Sequence, residues 1–264
     1  MALGQTWSKR DRNDAPTDGY DVIVIGSGMG GMTTAATLAK TGKRVLVLEQ
    51  HYVPGGFTHA FTRKKGKKKW EWDVGVHAVG EVTKRSMPGR ILAGLTNDRL
   101  EWSSLGPVYD EFHFPDDFHI DFPDNPKQFR QNLVDAFPEE EVAIDEYLRL
   151  VREISGEMRA YYLARLAPKG FRRLSSMVVA RKAQEYFEQT TKYALDKITS
   201  NEKLKAVLCS QWGYQGVTPS RSSLAMQALV TRHFWWGGYY PVGGSHRIAE
   251  ELLATVAEAG GWTR

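Results

Sequence analysis

The amino-acid sequence predicts an α/β fold, and three observations carry that prediction. Tyr20–Ile25 (YDVIVI) is β-branched and apolar at successive positions, as a parallel strand buried on both faces should be. A glycine cluster follows, then a helix-forming stretch from Gly31 to Thr41 that Gly42 closes. Arg44–Leu48 (RVLVL) reads as a second buried strand. Strand, glycine turn, helix and strand within roughly 30 residues form one βαβ unit.

The turn between the first strand and the helix carries the chemistry. Gly26-Ser27-Gly28-Met29-Gly30-Gly31 satisfies G-x-G-x-x-G at Gly26, Gly28 and Gly31. Glycine-rich turns are common, so the pattern gains weight only because it leaves a strand and opens a helix. Gly26 permits the tight turn, Gly28 lets the backbone approach a pyrophosphate, and Gly31 lets helix and strand pack closely. From Met29 and Gly30 onward the helix N-terminus offers free N–H groups and a partial positive charge to phosphates. Glu49 ends the second strand, 23 positions after Gly26. A carboxylate there can accept hydrogen bonds from both ribose hydroxyls and repels a 2′-phosphate. Gln50 leads out of that strand, and Gly55–Gly56 let the chain turn back over a dinucleotide.

Beyond the glycine pair, Phe57–Arg63 and Lys69–Val74 flank a Gly-centred turn, Lys64–Lys68, and predict a hairpin. In Trp70–His77 (WEWDVGVH), Asp73 and Gly75 read as a strand end and a close approach of backbone to something flat. Short strand-like pieces, Tyr109–Phe114 and Phe118–Phe122, lie in a Pro-, Gly- and aromatic-rich stretch from Pro88 to Asp124. From Pro126 to Ser200 the pattern turns helical. Phe129, Leu133 and Phe137 recur at four-residue intervals, and Ile144, Leu148, Val151 and Ile154 continue at helical spacing. Pro138 and Pro168–Gly170 break these helices. Further helices are predicted over Asn201–Gln211, Ser220–Val230 and, after Val242–Ser245 (VGGS), His246–Glu258. Gly260–Gly261 ends the last helix, and Trp262–Arg264 begins another strand. A domain that stops on an incipient strand is expected to be truncated at its C-terminus.

The order G-x-G-x-x-G, Glu49, Gly55–Gly56, hairpin and D-x-G-x-H resembles the retinol saturase, carotenoid isomerase and phytoene desaturase group of amine-oxidase-like flavoproteins. A distant block agrees: Gly213-Tyr214, Pro219-Ser220-Arg221, Gly237-Gly238-Tyr239-Tyr240-Pro241 and Gly243-Gly244-Ser245. That block and His77 resemble the retinol saturase branch more than the plant carotenoid isomerases. The likeness covers most of residues 20–261 and is strongest at the two glycine-rich ends.

The resemblance implies FAD as cofactor, with NAD(P)H as a candidate electron donor. It assigns Gly26, Gly28, Met29, Gly30, Gly31, Glu49, Gln50, Gly55 and Gly56 to the ADP half of FAD, and Gly75, Val76 and His77 to the flavin side. Phe57 stands where many relatives place Arg, a departure at one pyrophosphate contact. The implied fold is a Rossmann-like FAD-binding domain interrupted by a mixed, largely helical substrate domain. Residues 1–20 are then a flexible arm, 21–87 the first part of the FAD-binding domain, 88–232 the substrate domain and 233–264 an incomplete return. The implied activity is that of an oxidoreductase acting on carbon–carbon double bonds of an apolar isoprenoid, as a saturase or desaturase. A redox-neutral isomerase, and a non-catalytic lipid-binding escort or inactive fragment of this fold, stay open beside it. His77 is the candidate catalytic residue, with a backbone-bonding histidine as the other reading.

Composition narrows the remaining classes. A net charge of +4 does not imply nucleic-acid binding. One cysteine, Cys209, excludes an internal disulfide framework and a Cys-rich metal site, and it reads as a small buried residue. His113 and His119 sit among acids at no metal-site spacing, and no metal is expected. Met1–Tyr20 holds no apolar signal core, and no run approaches the ~18 apolar residues of a membrane span, so a cytoplasmic protein is expected. Arg63–Lys69 (RKKGKKK) places six positive charges on one hairpin. That is either a solvated turn or a peripheral contact with an anionic membrane, at roughly 1 kcal/mol per basic residue. Lys169–Arg173 (KGFRR) could assist it. Phe234-Trp235-Trp236 with Tyr239-Tyr240 reads either as the lining of an apolar tunnel or as core.

Overall fold

A computed structural model describes residues 16–166 and 181–264. Residues 1–15 of the expected arm, the helix break at 168–170 and the basic stretch at 169–173 lie outside the described residues. The chain divides into two compact units, Met1–Ser104 with Tyr239–Arg264, and Leu105–Gly238. In chain order the first unit begins with β1 (Val22–Ile25), α1 (Met29–Lys40), β2 (Val45–Leu48), β3 (Ala60–Lys65), β4 (Lys68–Asp73), α2 (Met87–Thr96) and β5 (Trp102–Ser104). The second unit holds β6 (Val108–His113), β7 (His119–Pro123), α3 (Pro126–Ala136), α4 (Glu141–Leu166) and a helical stretch at residues 181–188, here α5. It continues with α6 (Thr191–Ile198), α7 (Glu202–Leu208) and α8 (Leu224–His233). The first unit resumes with β8 (Tyr239–Pro241), α9 (Arg247–Glu258) and β9 (Trp262–Thr263).

The first unit is built on a parallel sheet in the order β1-β2-β9, with Val22 opposite Val45 and Leu46 opposite Trp262. Helices α1 and α9 cover one face. There Val45 and Val47 are fully buried with Met32, Ala35 and Ala36 of α1 and Leu252, Leu253 and Val256 of α9. The expected strand after Gly260–Gly261 forms, and Arg264 N donates to Val47 O at 2.8 Å. The expectation that β1 is buried on both faces fails. Ile23 is 58 % exposed and Ile25 86 %, because β1 is an edge strand and successive side chains leave opposite faces of a sheet.

Two other expectations shift. Helix α2 and strand β5 belong with the glycine-rich unit, so the division falls at Ser104 rather than before residue 88. The reason is apolar packing: Leu95 and Leu100 are buried with Ile248, Leu252 and Val256, and Thr255 Oγ1 donates to Leu95 O at 2.6 Å. In the hairpin the strands run further than expected and leave only Gly66–Lys67 as the turn. Gly66 has φ +60°, the sign a two-residue hairpin turn needs, so Lys64 and Lys65 stay paired with Lys69 and Lys68.

In the second unit β6 and β7 form an antiparallel pair, and the helical spacing of the sequence becomes a core. Phe129, Leu133, Ile144, Leu148, Val151 and Ile154 are all buried. Tyr147 is buried among them and keeps its hydroxyl bonded to Leu208 O and Thr231 Oγ1. Helix α8 starts at Leu224 rather than Ser220 because Ser223 caps it, accepting from Met226 N. Cys209 is buried, and loss of water pushes its thiol up to about 12. Phe234 and Trp235 are core residues, with Phe234 stacked on Tyr109 at 5.4 Å, while Trp236 is 47 % exposed. His113 and His119 face each other across the β6–β7 pair. Among the described residues no helix is long and apolar enough to cross a membrane.

Candidate functional site

The glycine-rich turn and Glu49 sit at the carboxyl ends of β1 and β2, where ligands of open α/β sheets bind. Gly26 leaves β1 with φ +93°, and its N–H donates to Leu48 O at 2.7 Å. A Cβ added at Gly31 would lie 1.9 Å from Gly26 O, so helix and turn touch backbone to backbone. At Gly28 the opposite holds: a Cβ there would meet nothing within 4 Å. Gly28 is the N-cap of α1, with no side-chain cap and no acidic residue in the first turn. The leading N–H groups of an α-helix have no intrahelical acceptor, so this end carries open donors and partial positive charge. A phosphate fits that surface.

Glu49 is half-buried beside it. Its Oε2 accepts from Ser27 N at 2.8 Å and from Ser27 Oγ, and its Oε1 accepts from His51 N at 2.8 Å. Burial raises the carboxyl pKa, but the hydrogen bonds from Ser27 and His51 outweigh it and hold the group below its ordinary value. The carboxylate is therefore ionised at neutral pH, and with lone pairs to spare it suits ribose hydroxyls. Ser27 escaped sequence reasoning. It occupies an unspecified position of the motif, yet it is fully buried and its Oγ also accepts from Gly55 N at 3.0 Å. One hydroxyl thus joins the turn, the strand-end acid and the glycine pair.

The glycine pair is seated on the turn. Gly55 and Gly56 have φ +121° and +56°, and a Cβ on Gly56 would lie 3.0 Å from Gly28 Cα. Further on, a Cβ on Gly75 would lie 3.0 Å from Phe57 Cβ and 3.2 Å from Phe57 O. Gly28, Gly56, Phe57 and Gly75 therefore form a line of close contacts from the phosphate turn to the D-x-G segment. Asp73 at that segment accepts from Tyr240 Oη, and Ser245 N donates to the same phenol oxygen at 3.2 Å. Burial and the Asp73 carboxylate push the Tyr240 phenol up to about 12, so it stays a donor. This bond ties the two glycine-rich blocks together across 167 positions of sequence. Sequence reasoning had both blocks but not the bond. Gln50, Met29 and His77 are exposed, and Val76 is half-buried. His77 lies just before Val79, whose backbone pairs with Tyr239 at 2.9 Å in both directions.

Glu49→Ala should weaken dinucleotide binding by roughly 1.5–3 kcal/mol, the worth of hydrogen bonds to a charged group. Titration of the apoprotein, followed by cofactor fluorescence, measures it. The pH dependence has a definite sign. A depressed folded-state pKa gives stability that is full above the unfolded carboxylate pKa and is lost as pH falls through the folded value. Binding through Glu49 should therefore hold from neutrality to below the ordinary carboxylate pKa and then drop; loss between pH 7 and 6 would contradict it.

Known proteins resemble this chain along most of its length. The NAD(P)-binding Rossmann-like domain family matches residues 24–86. The human all-trans-retinol 13,14-reductase is 36 % identical over 248 residues, 91 % of this chain and 40 % of that protein. Prolycopene isomerase 1 of an Oncidium hybrid is 27 % identical over 249 residues, 91 % of this chain and 41 % of that protein. Among solved structures, cyclohexylamine oxidase from Brevibacterium oxydans shares the fold with a TM-score of 0.57 at 17 % identity, over 93 % of this chain and 51 % of that one. The chain spans about 40 % of the length of the retinol reductases it matches. The turn, the acid and the glycine pair agree with these matches: over part of their length, the chain is a homologue of the all-trans-retinol 13,14-reductases, prolycopene isomerases and phytoene dehydrogenases.

Proposed function

We propose that this chain binds FAD and serves an oxidoreductase acting on carbon–carbon double bonds of an apolar isoprenoid, a retinoid or carotenoid. The observation that carries the reading is the line of contacts from Gly28 through Gly56 and Phe57 to Gly75, which runs from the open space in front of Gly28 towards the D-x-G segment. NAD⁺ is shorter on its nicotinamide side than FAD, and a scaffold extended in this way suits the longer molecule. Gly26, Gly28, Met29, Gly30 and Gly31 would hold the pyrophosphate, and Glu49 the ribose, with Gln50 beside it. Gly55 and Gly56 would close over the ADP half, and Gly75, Val76 and His77 would meet the flavin side. When bound, FAD supplies hydride transfer, and the protein supplies orientation and exclusion of water. In this reading residues 105–238 form the substrate unit, NAD(P)H is the electron donor to be tried first, and the protein is cytoplasmic with peripheral contact to anionic membrane through Arg63–Lys69.

A second reading has one specific support. A zebrafish relative 30 % identical over 256 residues is named an inactive all-trans-retinol 13,14-reductase, which favours a chain without turnover. The test separates the readings by product. The purified chain is titrated with FAD, then incubated anaerobically with all-trans-retinol or a carotene, in parallel with NADPH as electron donor and with a quinone as electron acceptor, and extracts are weighed by mass spectrometry. A gain of two hydrogens marks a saturase, a loss of two a desaturase, and an unchanged mass with altered retention an isomerase. Retained isoprenoid without product marks an escort. Absence of FAD binding at micromolar concentration overturns the proposal.

A further inference from the structure

The β3–β4 hairpin has two unlike faces. Residues directly opposite in an antiparallel pair share a face, so the register sorts the side chains. Phe61 pairs with Trp72, Arg63 with Trp70, and Lys65 with Lys68, which puts three aromatics and three cations on one face with no acid. Thr62 pairs with Glu71, Lys64 with Lys69, and Ala60 with Asp73 on the other. The second face is the one turned to the body of its unit: Glu71 Oε1 lies 3.4 Å from His246 Nδ1, and Asp73 is bonded to Tyr240. The first face looks outward from Arg63 to the turn and along β4, with Phe61 half-buried at its base under the Arg63 guanidinium. Trp70 is 42 % exposed and Trp72 54 %, on a strand exposed along its whole length.

Two tryptophans exposed on a short strand are costly in water, since each leaves a large apolar surface hydrated. Their indole N–H groups make them poor candidates for a wholly apolar partner and good ones for the headgroup zone of a bilayer, where one edge is wet and the other dry. The cations beside them match anionic lipid, whose surface attraction falls off within a Debye length. Along the face the order is Phe61/Trp72, then Arg63/Trp70, then Lys65/Lys68 at the turn. A hairpin touching by its tip would present Lys64, Lys67 and Lys69 as much as Lys65 and Lys68, and would leave both tryptophans in water.

We infer that this hairpin lies flat on an anionic bilayer through the Phe61, Arg63, Lys65, Lys68, Trp70 and Trp72 face, with the indoles in the headgroup zone and the cations on lipid phosphates and carboxylates. The inference deepens the proposed function, which supplies its purpose: an apolar isoprenoid is drawn from a membrane. It is tested without turnover.

The 264-residue chain is mixed with vesicles of phosphatidylcholine containing phosphatidylserine, and separately with phosphatidylcholine alone, and binding is read by flotation. Binding is expected only to the anionic vesicles, falling steeply as salt is raised. Lys65→Gln/Lys68→Gln should weaken it about tenfold or more, while Lys64→Gln/Lys69→Gln, of equal charge change, should weaken it by a few-fold at most. Trp70→Ser/Trp72→Ser should weaken it about tenfold. Quenching of tryptophan fluorescence by brominated lipid should largely vanish in Trp70→Phe/Trp72→Phe. Equal effects of the two lysine pairs, equal binding to neutral vesicles, or tighter binding to single-stranded DNA than to vesicles each overturn the inference. FAD content is measured on the same samples. A chain that holds FAD and reduces detergent-dispersed retinol but ignores vesicles refutes the docking face alone; one that docks but holds no FAD refutes the function alone.

Discussion

Gly31→Ala should lower the melting temperature of the first unit by roughly 10 °C. The added methyl would stand 1.9 Å from Gly26 O, well inside contact distance, and 3.0 Å from Gly26 C. Both neighbours are backbone, so no side-chain rotation relieves the clash. Helix α1 must move away from β1, and with it Met32, Ala35 and Ala36, which are fully buried against the sheet. Overpacking in cores costs about 1–3 kcal/mol and sometimes more, and a clash between two fixed backbones belongs at the upper end. For a unit of this size about 3 kcal/mol lowers Tm by roughly 10 °C. Dinucleotide binding should fall with it, because the turn and the helix N-terminus separate. A circular-dichroism melt within 2 °C of the wild type would show that the turn is looser than its geometry implies.

Gly28→Val should do the reverse, keeping the fold and abolishing binding. Gly28 has φ −68° and ψ 174°, a conformation open to any L-residue, and a Cβ there would meet nothing within 4 Å. Nothing in the protein itself therefore calls for glycine at this position. The space in front of it does, if a pyrophosphate is to lie against the backbone. A branched side chain would fill that space and cover the N–H groups of the first turn of α1. The melting temperature should stay within about 2 °C of wild type, while Kd for FAD rises about 100-fold or more, equivalent to ~2.8 kcal/mol. Wild-type affinity in this variant would remove the phosphate site. These two outcomes together would divide one motif into a residue the fold requires and a residue the ligand requires.

The sequence by itself determined the βαβ unit, the glycine-rich turn within it and the helical core of the second unit. These are local or periodic properties: glycine at fixed offsets, β-branched runs, and apolar residues recurring at helical spacing. Ile144, Leu148, Val151 and Ile154 needed no partner to be recognised, and all are buried. Tertiary structure decided what depends on pairing between distant positions. The exposure of Ile23 and Ile25 follows from β1 lying at the sheet edge with helices on one face, and a run of four residues carries no record of its neighbours. The placement of α2 with the glycine-rich unit follows from Leu95 and Leu100 meeting α9, more than 140 positions away. Ser27 became a site residue only once Glu49 and Gly55 were folded around it, since a serine in an unspecified position of a motif has no signature. Tyr240 and Asp73 likewise needed the fold to meet. The two faces of the hairpin depend on register, which a single residue of slip would have exchanged, so the composition RKKGKKK gave the charge and only the β3–β4 ladder gave the face.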